Sequence, residues 1–187
     1  MSTTVLAPFA LSLDLESGAL KPHTTRIERR LSSLQGAFAD KAAFAAFVDA
    51  ADPLVYEVEQ YDVPEETGQL ICCTTVIHPG AVGGELFMTK GHFHADRDTG
   101  EVYVGVRGRG CLLLATEQGD HAELPMERGT VAYVPPRWAH RTVNTGDEPF
   151  SFLAVYPAQA GHDYGTIEST GFPQRVFRTA AATEVRT

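Results

Sequence analysis

The sequence is poor in several features, and each scarcity excludes a class of protein. Cys72, Cys73 and Cys111 are the only cysteines, and an odd count with two adjacent residues is no disulfide framework. We therefore expect a reducing, cytoplasmic compartment. The apolar stretch 5–13 has no basic residues before it and runs into acidic ones, so we expect neither a signal peptide nor a membrane span.

Positive charge is also in short supply. The formal net charge is -9 and the pI about 5.2, with no basic tract. A nucleic-acid partner is therefore not expected, and an anionic substrate would need local positive charge inside a pocket. At 187 residues the chain fits one domain with a full core. We expect a helical flank over about 25–52 and a β-barrel over about 54–177.

The most informative stretch is 89–110, which reads TKGHFHADRDTGEVYVGVRGRG. His92 and His94 are two residues apart, so on a β-strand both imidazoles project from one face. Glu101 follows at an odd separation, which predicts a turn over 95–100 and a returning strand from Glu101. We expect these three side chains to meet across a hairpin.

A fourth donor is expected from the stretch 129–144, GTVAYVPPRWAHRTVN, where a Pro135–Pro136 corner precedes His140. The arrangement of His-x-His, Glu and a distant, proline-preceded His resembles the cupin fold. That resemblance implies an all-β barrel, a jelly-roll or double-stranded β-helix, in which three histidines and one glutamate hold a divalent metal. Arg137 stands where the second cupin motif usually has glycine, so that corner is atypical.

Two short helices are predicted before the barrel. Ile27, Leu31 and Leu34 fall at helical spacing and predict a helix over Thr25–Leu34. Asp40 is expected to cap a second helix that ends before Pro53.

After Pro53 the pattern changes to short β-runs separated by turn residues. Alternation along the strand Leu70–Ile77 does not decide whether Thr74 or Thr75 faces the interior. The predicted strands are Leu54–Glu59, Leu70–Ile77, Glu85–His94, Glu101–Val106, Cys111–Thr116, His121–Met126, Val131–Val134, Ala139–Val143 and Phe150–Tyr156.

Three imidazoles and a carboxylate suit Fe, Mn, Ni, Zn or Cu, with open positions for water or substrate. No cysteine belongs to this set, which disfavours a closed structural zinc site. We expect one divalent metal per subunit, Fe²⁺ first, with Mn²⁺, Ni²⁺ or Zn²⁺ as alternatives.

The motifs TKGHFHADRDTGEVYV, VPPRWAHRTVN and YPAQAGHDYGTI together resemble the cupin-type phosphoglucose isomerases. That resemblance implies interconversion of glucose 6-phosphate and fructose 6-phosphate by a homodimer. It implies that His92, His94, Glu101 and His140 bind the metal and that Glu101, Tyr103 and His162 are catalytic. It further implies substrate contacts from Thr75, Thr89, Lys90, Gly91, Phe152, Tyr156 and Tyr164.

Two mechanisms are open at this stage. In one, Glu101 moves a proton between C2 and C1 through a cis-enediol. In the other, the metal acts as a Lewis acid and a hydride moves directly between the carbons. Two other functions are weighed against isomerisation: a cupin dioxygenase or decarboxylase with the same donors, and a non-catalytic sugar-binding cupin. Thr89–Lys90 and the AGHDYG segment favour the isomerase.

Overall fold

The computed structural model describes residues 5–179 and 183–187. Within these ranges the chain is mostly β-structure, and no helix there is long and apolar enough to cross a membrane. The helices are α1 (Lys41–Ala50) and α2 (Gly165–Thr170). The strands are β1 (Ser12–Leu13), β2 (Leu20–Lys21), β3 (Thr25–Arg30), β4 (Leu54–Tyr61), β5 (Leu70–Ile77), β6 (Ala81–Val82), β7 (Glu85–Leu86), β8 (Glu101–Arg107), β9 (Arg109–Thr116), β10 (His121–Glu127), β11 (Val131–Val134), β12 (Trp138–Asn144), β13 (Phe150–Pro157), β14 (Arg175–Arg178) and β15 (Thr183–Arg186).

Two antiparallel sheets form the barrel. One has six strands in the order β11-β8-β13-β5-β4-β3, and the other has three in the order β10-β9-β12. Fully buried side chains from both sheets, among them Ile77, Leu112 and Phe150, belong to one hydrophobic cluster. The all-β barrel predicted from the sequence is confirmed. Apart from the one predicted over Glu85–His94, each predicted strand is present with both ends within two residues of the prediction.

The helix predicted over Thr25–Leu34 is wrong. Thr25–Arg30 is strand β3, which pairs with β4, and Leu31–Leu34 is one turn of 3₁₀ helix. The side chains of β3 alternate between half-buried and exposed, the period of two that a strand requires. Leu31 and Leu34 are both buried, so their spacing reflects the short turn alone. The barrel sheet therefore begins at Thr25, earlier than the boundary of 54.

The second helix prediction is confirmed. Asp40 precedes α1 in an extended conformation, and its Oδ1 accepts the amide hydrogen of Ala43 over 2.9 Å. This cap satisfies a backbone donor that the first helical turn leaves free.

The strand predicted over Glu85–His94 is also wrong, and so is the hairpin that followed from it. Only Glu85–Leu86 is a strand, and beyond it His92 makes an isolated antiparallel bridge with His140. Strand β8, which begins at Glu101, lies in the six-stranded sheet between β11 and β13. The turn over 95–100 therefore connects opposite walls of the barrel, and the donors meet across its interior.

Candidate active site

Three histidines and one glutamate meet where the two walls of the barrel approach each other. His92, His94 and His140 each offer a ring nitrogen, and these atoms lie within 4.8 Å of one another. Glu101 Oε2 lies 3.1 Å from Nε2 of His94 and 3.1 Å from Nε2 of His140. His94, His140 and Glu101 are at most 5% exposed. The structure thus brings together all four residues that the sequence suggested as metal ligands.

The outer ring nitrogens of two histidines are held by oxygen atoms of the chain. His140 Nδ1 lies 3.3 Å from the carbonyl oxygen of Trp138, which can only accept a hydrogen bond. His94 Nδ1 lies 2.9 Å from Thr99 Oγ1, which gives its own hydrogen to the carbonyl of Asp96. Both Nδ1 atoms therefore carry a ring hydrogen, so in a neutral imidazole the Nε2 lone pair faces the interior.

This orientation supports a fit to a metal ion. An imidazole lone pair that faces a carboxylate oxygen at 3.1 Å is repelled unless a cation lies between them. Nε2 of His92 is buried and has no hydrogen-bond partner among the described residues. A divalent cation would satisfy these groups together, and three imidazoles with one carboxylate are donors suited to a transition metal.

Burial and mutual proximity also set the protonation states. Burial, followed by the neighbouring His140, lowers the pKa of His92 well below its usual range, so the imidazole is neutral near pH 7. Burial alone would raise the pKa of Glu101, but the adjacent rings of His140 and His94 bring that pKa down to about 2. The neutral imidazole of His92 and the ionised carboxylate of Glu101 are the forms that bind metals.

The backbone at the corner before His140 explains why glycine is usual at the position of Arg137. This residue has φ of +71°, the left-handed region that glycine adopts without steric cost. Its guanidinium pairs with Asp98 at 2.8 Å, but both side chains are more than 70% exposed. Such a pair contributes little, so the corner retains most of the strain.

A cavity of about 400 Å³ opens beside the four donors. Its volume lies within the usual range for small-molecule sites. The predicted substrate and catalytic residues that line it are Thr75, Thr89, Lys90, Glu101, Tyr103, Phe152, Tyr156, His162 and Tyr164. Gly91 is not among them and borders a smaller cavity nearby.

Three tyrosines supply neutral hydroxyl groups to this cavity. Burial, with the Glu101 carboxylate second, raises the pKa of Tyr103 well above its usual value. Burial likewise raises the pKa of Tyr156, and that of Tyr164 to about 12. All three hydroxyls therefore stay protonated at neutral pH. That of Tyr156 donates to Gln60 Oε1, and those of Tyr103 and Tyr164 can donate hydrogen bonds to sugar or phosphate oxygens.

The AGHDYG segment forms one wall of the cavity. The rings of His162 and Tyr164 stack with centroids 5.7 Å apart, and His162 lies 4.6 Å from the ring of His92. Arg97 donates to Asp163 Oδ2 over 2.6 Å and also to the carbonyl of His94. This guanidinium ties the His162 loop to the segment that carries the metal donors.

The structure shows which threonines face the other end of the cavity. Thr75 lines the cavity, whereas Thr74 lines a separate cavity on the other face of the same sheet. Of the two threonines that strand alternation could not distinguish, Thr75 is therefore the one that faces the interior of the barrel. Thr89 Oγ1 accepts the amide hydrogen of Thr142 over 3.0 Å, so its own hydrogen remains available to a ligand.

Lys90 lines this end of the cavity, and Gly91 borders the smaller cavity next to it. The ammonium of Lys90 pairs with Glu168 of α2 and lies 5.1 Å from the ring centroid of Tyr164. A Cβ added at Gly91 would lie 2.7 Å from Phe172 Cδ2, so only glycine fits this approach.

Sequence reasoning missed four polar residues that line the cavity: Arg29, Tyr56, Gln60 and Glu65. The Tyr56 hydroxyl accepts the Lys90 amide hydrogen at 3.4 Å, and Tyr156 donates to Gln60 Oε1 at 3.0 Å. The alternation of Ile27 and Arg29 along β3 was the available signal, and the helical interpretation obscured it.

The chain was compared with protein families and known proteins. The model of the family described as glucose-6-phosphate isomerase (GPI) matches residues 28–185. A protein named glucose-6-phosphate isomerase from Pyrococcus horikoshii is 52% identical over 91% of this chain and 89% of its own. Those from Thermococcus onnurineus and Sinorhizobium medicae are 50% and 41% identical, covering 96% and 90% of this chain and 94% and 79% of theirs.

A solved structure of oxalate decarboxylase from Bacillus subtilis is 23% identical, with a TM-score of 0.46 over 57% of this chain and 26% of its own. So distant a likeness says nothing about chemistry.

The fold and the donor set define a cupin barrel with a candidate three-histidine metal site. Within that class, the chain belongs to the glucose-6-phosphate isomerase family. The dioxygenase, decarboxylase and sugar-binding alternatives are not favoured.

Proposed function

We propose that this chain is a metal-dependent aldose-ketose isomerase that interconverts glucose 6-phosphate and fructose 6-phosphate. One observation carries the proposal: a single cavity holds both the histidine-glutamate cluster and a threonine-lysine segment suited to phosphate. Membership of the family agrees with this activity, and relatives of half-identical sequence bear its name.

Substrate binding is assigned to the two ends of the cavity. The hydroxyls of Thr75 and Thr89 and the Lys90 ammonium, which line the cavity, bind the phosphate through charge-assisted hydrogen bonds, together with the amide of Gly91 from the adjoining smaller cavity. At the other end, five side chains contact the sugar carbons and hydroxyls: those of Tyr103, Phe152, Tyr156, His162 and Tyr164. The phosphate thereby fixes the sugar with C1 and C2 beside Glu101.

His92, His94, Glu101 and His140 would hold the divalent metal. When bound, that metal supplies Lewis acidity, which polarises the sugar oxygens and acidifies the adjacent C–H. The donor types suit several metals, and iron is the first candidate among them.

Glu101 is the proposed base. Starting from fructose 6-phosphate, its carboxylate takes a proton from C1 and delivers one to C2, through a cis-enediol. A pKa of about 2 makes this carboxylate a weak base, so the reaction depends on an acidified C–H. Tyr103 keeps its hydrogen and donates it to a sugar oxygen.

His162 is proposed to exchange protons with the sugar hydroxyls. Burial lowers its pKa, so the imidazole is neutral near pH 7 and can accept a proton. A direct hydride shift between C1 and C2 is the competing mechanism, and it needs no base.

The activity is tested by coupled formation of glucose 6-phosphate from fructose 6-phosphate. Chelator-stripped protein is assayed alone and after addition of Fe²⁺, Mn²⁺, Ni²⁺ or Zn²⁺. Turnover should return with metal and stay absent in His92→Ala, whereas an exposed-histidine control, His121→Ala, should behave like the parent protein. Absence of turnover with every metal, despite metal bound by the untreated protein, would reject the assignment and direct attention to oxygen uptake.

The proposal also includes a cytoplasmic location, a role in glycolysis or gluconeogenesis, and a homodimer. The three cysteines are free, which agrees with a cytoplasmic location. The role in glycolysis or gluconeogenesis follows from the proposed substrates. Exposed Val131 and Tyr133 on edge strand β11 agree with a homodimer.

A further inference from the structure

Arg29 is a cavity residue on the edge strand of the six-stranded sheet. Along β3 the inward positions are half-buried, and Ile27 and Arg29 both line the cavity. Their neighbours are exposed: Arg26 pairs with Glu57, and Arg30 donates to the carbonyl of Asp52. The same strand therefore carries arginines with different surroundings, of which Arg29 alone faces the cavity.

The strand register places Arg29 at the phosphate end. Arg29 lies opposite Tyr56 on β4, and Val58, two residues further on, lies opposite Thr75 on β5. Arg29 therefore lies two strands away from Thr75 across the sheet and two residues further along the strand direction. Adjacent strands are about 4.8 Å apart, so the long arginine side chain spans much of this interval.

Tyr56 connects this guanidinium to the phosphate-binding backbone. Its hydroxyl accepts the amide hydrogen of Lys90 at 3.4 Å. Burial raises the pKa of Tyr56, while the hydrogen bond from the Lys90 amide and then the charge of Arg29 act in the opposite direction. Arg29, Tyr56 and the amide of Lys90 therefore converge on one end of the cavity.

The charges that line the cavity single out Arg29. Glu65 and Glu101 are acidic, and Lys90 is already ion-paired with Glu168. Within residues 5–179 and 183–187, no carboxylate forms an ion pair with Arg29. Its guanidinium is free to make the two parallel hydrogen bonds that suit phosphate oxygens.

We propose that Arg29 binds the phosphate group of the substrate and thereby selects phosphorylated sugars over free sugars. The guanidinium acts with the hydroxyls of Thr75 and Thr89 as the main positive charge offered to the dianion. The inference deepens the proposed isomerase function and rests on it for the identity of the substrate.

The test uses the metal-loaded, full-length protein and the variants Arg29→Gln, Arg29→Lys and Arg30→Gln. Steady-state kinetics with fructose 6-phosphate gives KM and kcat, and calorimetry gives the Kd of inorganic phosphate. In Arg29→Gln both KM and this Kd should rise about ten- to a hundredfold, since hydrogen bonds to charged groups are worth about 1.5–3 kcal/mol. Its kcat should change less than about threefold.

Arg29→Lys keeps the charge without the planar fork, so its KM and Kd should lie between those of the parent and Arg29→Gln. Arg30→Gln is the matched control and should leave both constants unchanged. Should Arg29→Gln fail to fold, by thermal melting, Arg29→Lys decides the matter: constants equal to the parent's would overturn the proposal.

Three results would contradict the role of Arg29. They are unchanged KM and Kd in Arg29→Gln, a fall in kcat alone, and an equal loss in Arg30→Gln. The calorimetric arm is independent of catalysis. A parent protein without isomerase turnover refutes the proposed function. Even then, weaker phosphate binding in Arg29→Gln supports Arg29 as an oxyanion ligand, and unchanged phosphate binding refutes that role of Arg29.

Discussion

The two ends of the cavity are built in different ways. At the metal end, His94, His140 and Glu101 are almost completely buried, and backbone or threonine oxygens fix the two imidazoles. At the phosphate end, Arg29 and Lys90 are half-buried side chains with long flexible stems, and Lys90 pairs with an exposed glutamate.

This difference indicates which groups of the site must be held precisely in position. Groups that act on C1 and C2 must be held closely in position, and burial on opposing walls achieves that. A phosphate dianion is a large, symmetrical target, so flexible cations can bind it without such rigidity. We therefore expect substitutions at the metal end to lower kcat and those at the phosphate end to raise KM.

The largest effect is expected from Glu101→Gln, which tests the metal end. The amide keeps the shape but cannot act as a base, so kcat should fall about 100- to 10,000-fold. Metal content is measured alongside, because retained metal with lost turnover separates the base from the ligand. Glu127→Gln, at an exposed carboxylate, is the control. A Glu101→Gln protein with parental kcat would remove Glu101 from the mechanism.

Gly91→Ala tests the phosphate end. The new Cβ would lie 2.7 Å from Phe172 Cδ2 and 3.2 Å from Arg141 Nε, so the segment must shift. Such overpacking costs about 1–3 kcal/mol of the free energy of unfolding, and KM for fructose 6-phosphate should rise. Denaturant unfolding and steady-state kinetics measure the two effects. Gly146→Ala, where the nearest atom is 3.6 Å away, should change neither, and a silent Gly91→Ala would contradict the packing.

Asp163→Asn tests the connection between the His162 loop and the segment that carries the metal donors. Hydrogen bonds from Arg97 and Thr166 lower the pKa of Asp163 from 3.8 to about 2. Between these values the unfolded chain binds the proton and the folded chain does not, so this stabilisation is present above pH 3.8 and disappears as pH falls towards 2. Denaturant unfolding across that range should show the parent losing its advantage over the variant. A difference between the two proteins that is independent of pH would contradict the assignment.

The smallest effect is expected from Arg137→Gly, at the corner before His140. Glycine relieves the left-handed strain at φ +71° but adds entropy to the unfolded chain and removes an exposed ion pair. The net gain in unfolding free energy should be at most about 1 kcal/mol, read from denaturant midpoints. Arg137→Ala keeps the strain, and if it matched Arg137→Gly, the strain would not be the cause.

The same two regions differ in what could be predicted from the sequence. The metal donors follow from short motifs, because His-x-His, Glu and a proline-preceded His are chemically distinctive. Their route to one another was predicted wrongly, since nothing local reveals that Glu101 starts a strand in the opposite sheet. Which strands pair is decided by the whole chain.

The phosphate end was only partly predictable. Arg29 was missed because Ile27, Leu31 and Leu34 fit a helical period as well as a strand followed by a turn. Thr75 could be identified only through the resemblance, because alternation treats it and Thr74 alike. The pairing of β3 with β4 and of β4 with β5 sets the positions of Arg29 and Thr75. Such contacts between strands cannot be predicted from a short stretch of sequence.

Isomerisation in deuterium oxide tests the central claim most directly. Metal-loaded protein is given fructose 6-phosphate, and the product is followed by NMR. Proton transfer by Glu101 predicts glucose 6-phosphate with deuterium at C2, because the abstracted proton exchanges with solvent before its return. Glucose 6-phosphate without deuterium at C2 would contradict proton transfer and favour the hydride shift, and absence of glucose 6-phosphate would contradict the isomerase function itself.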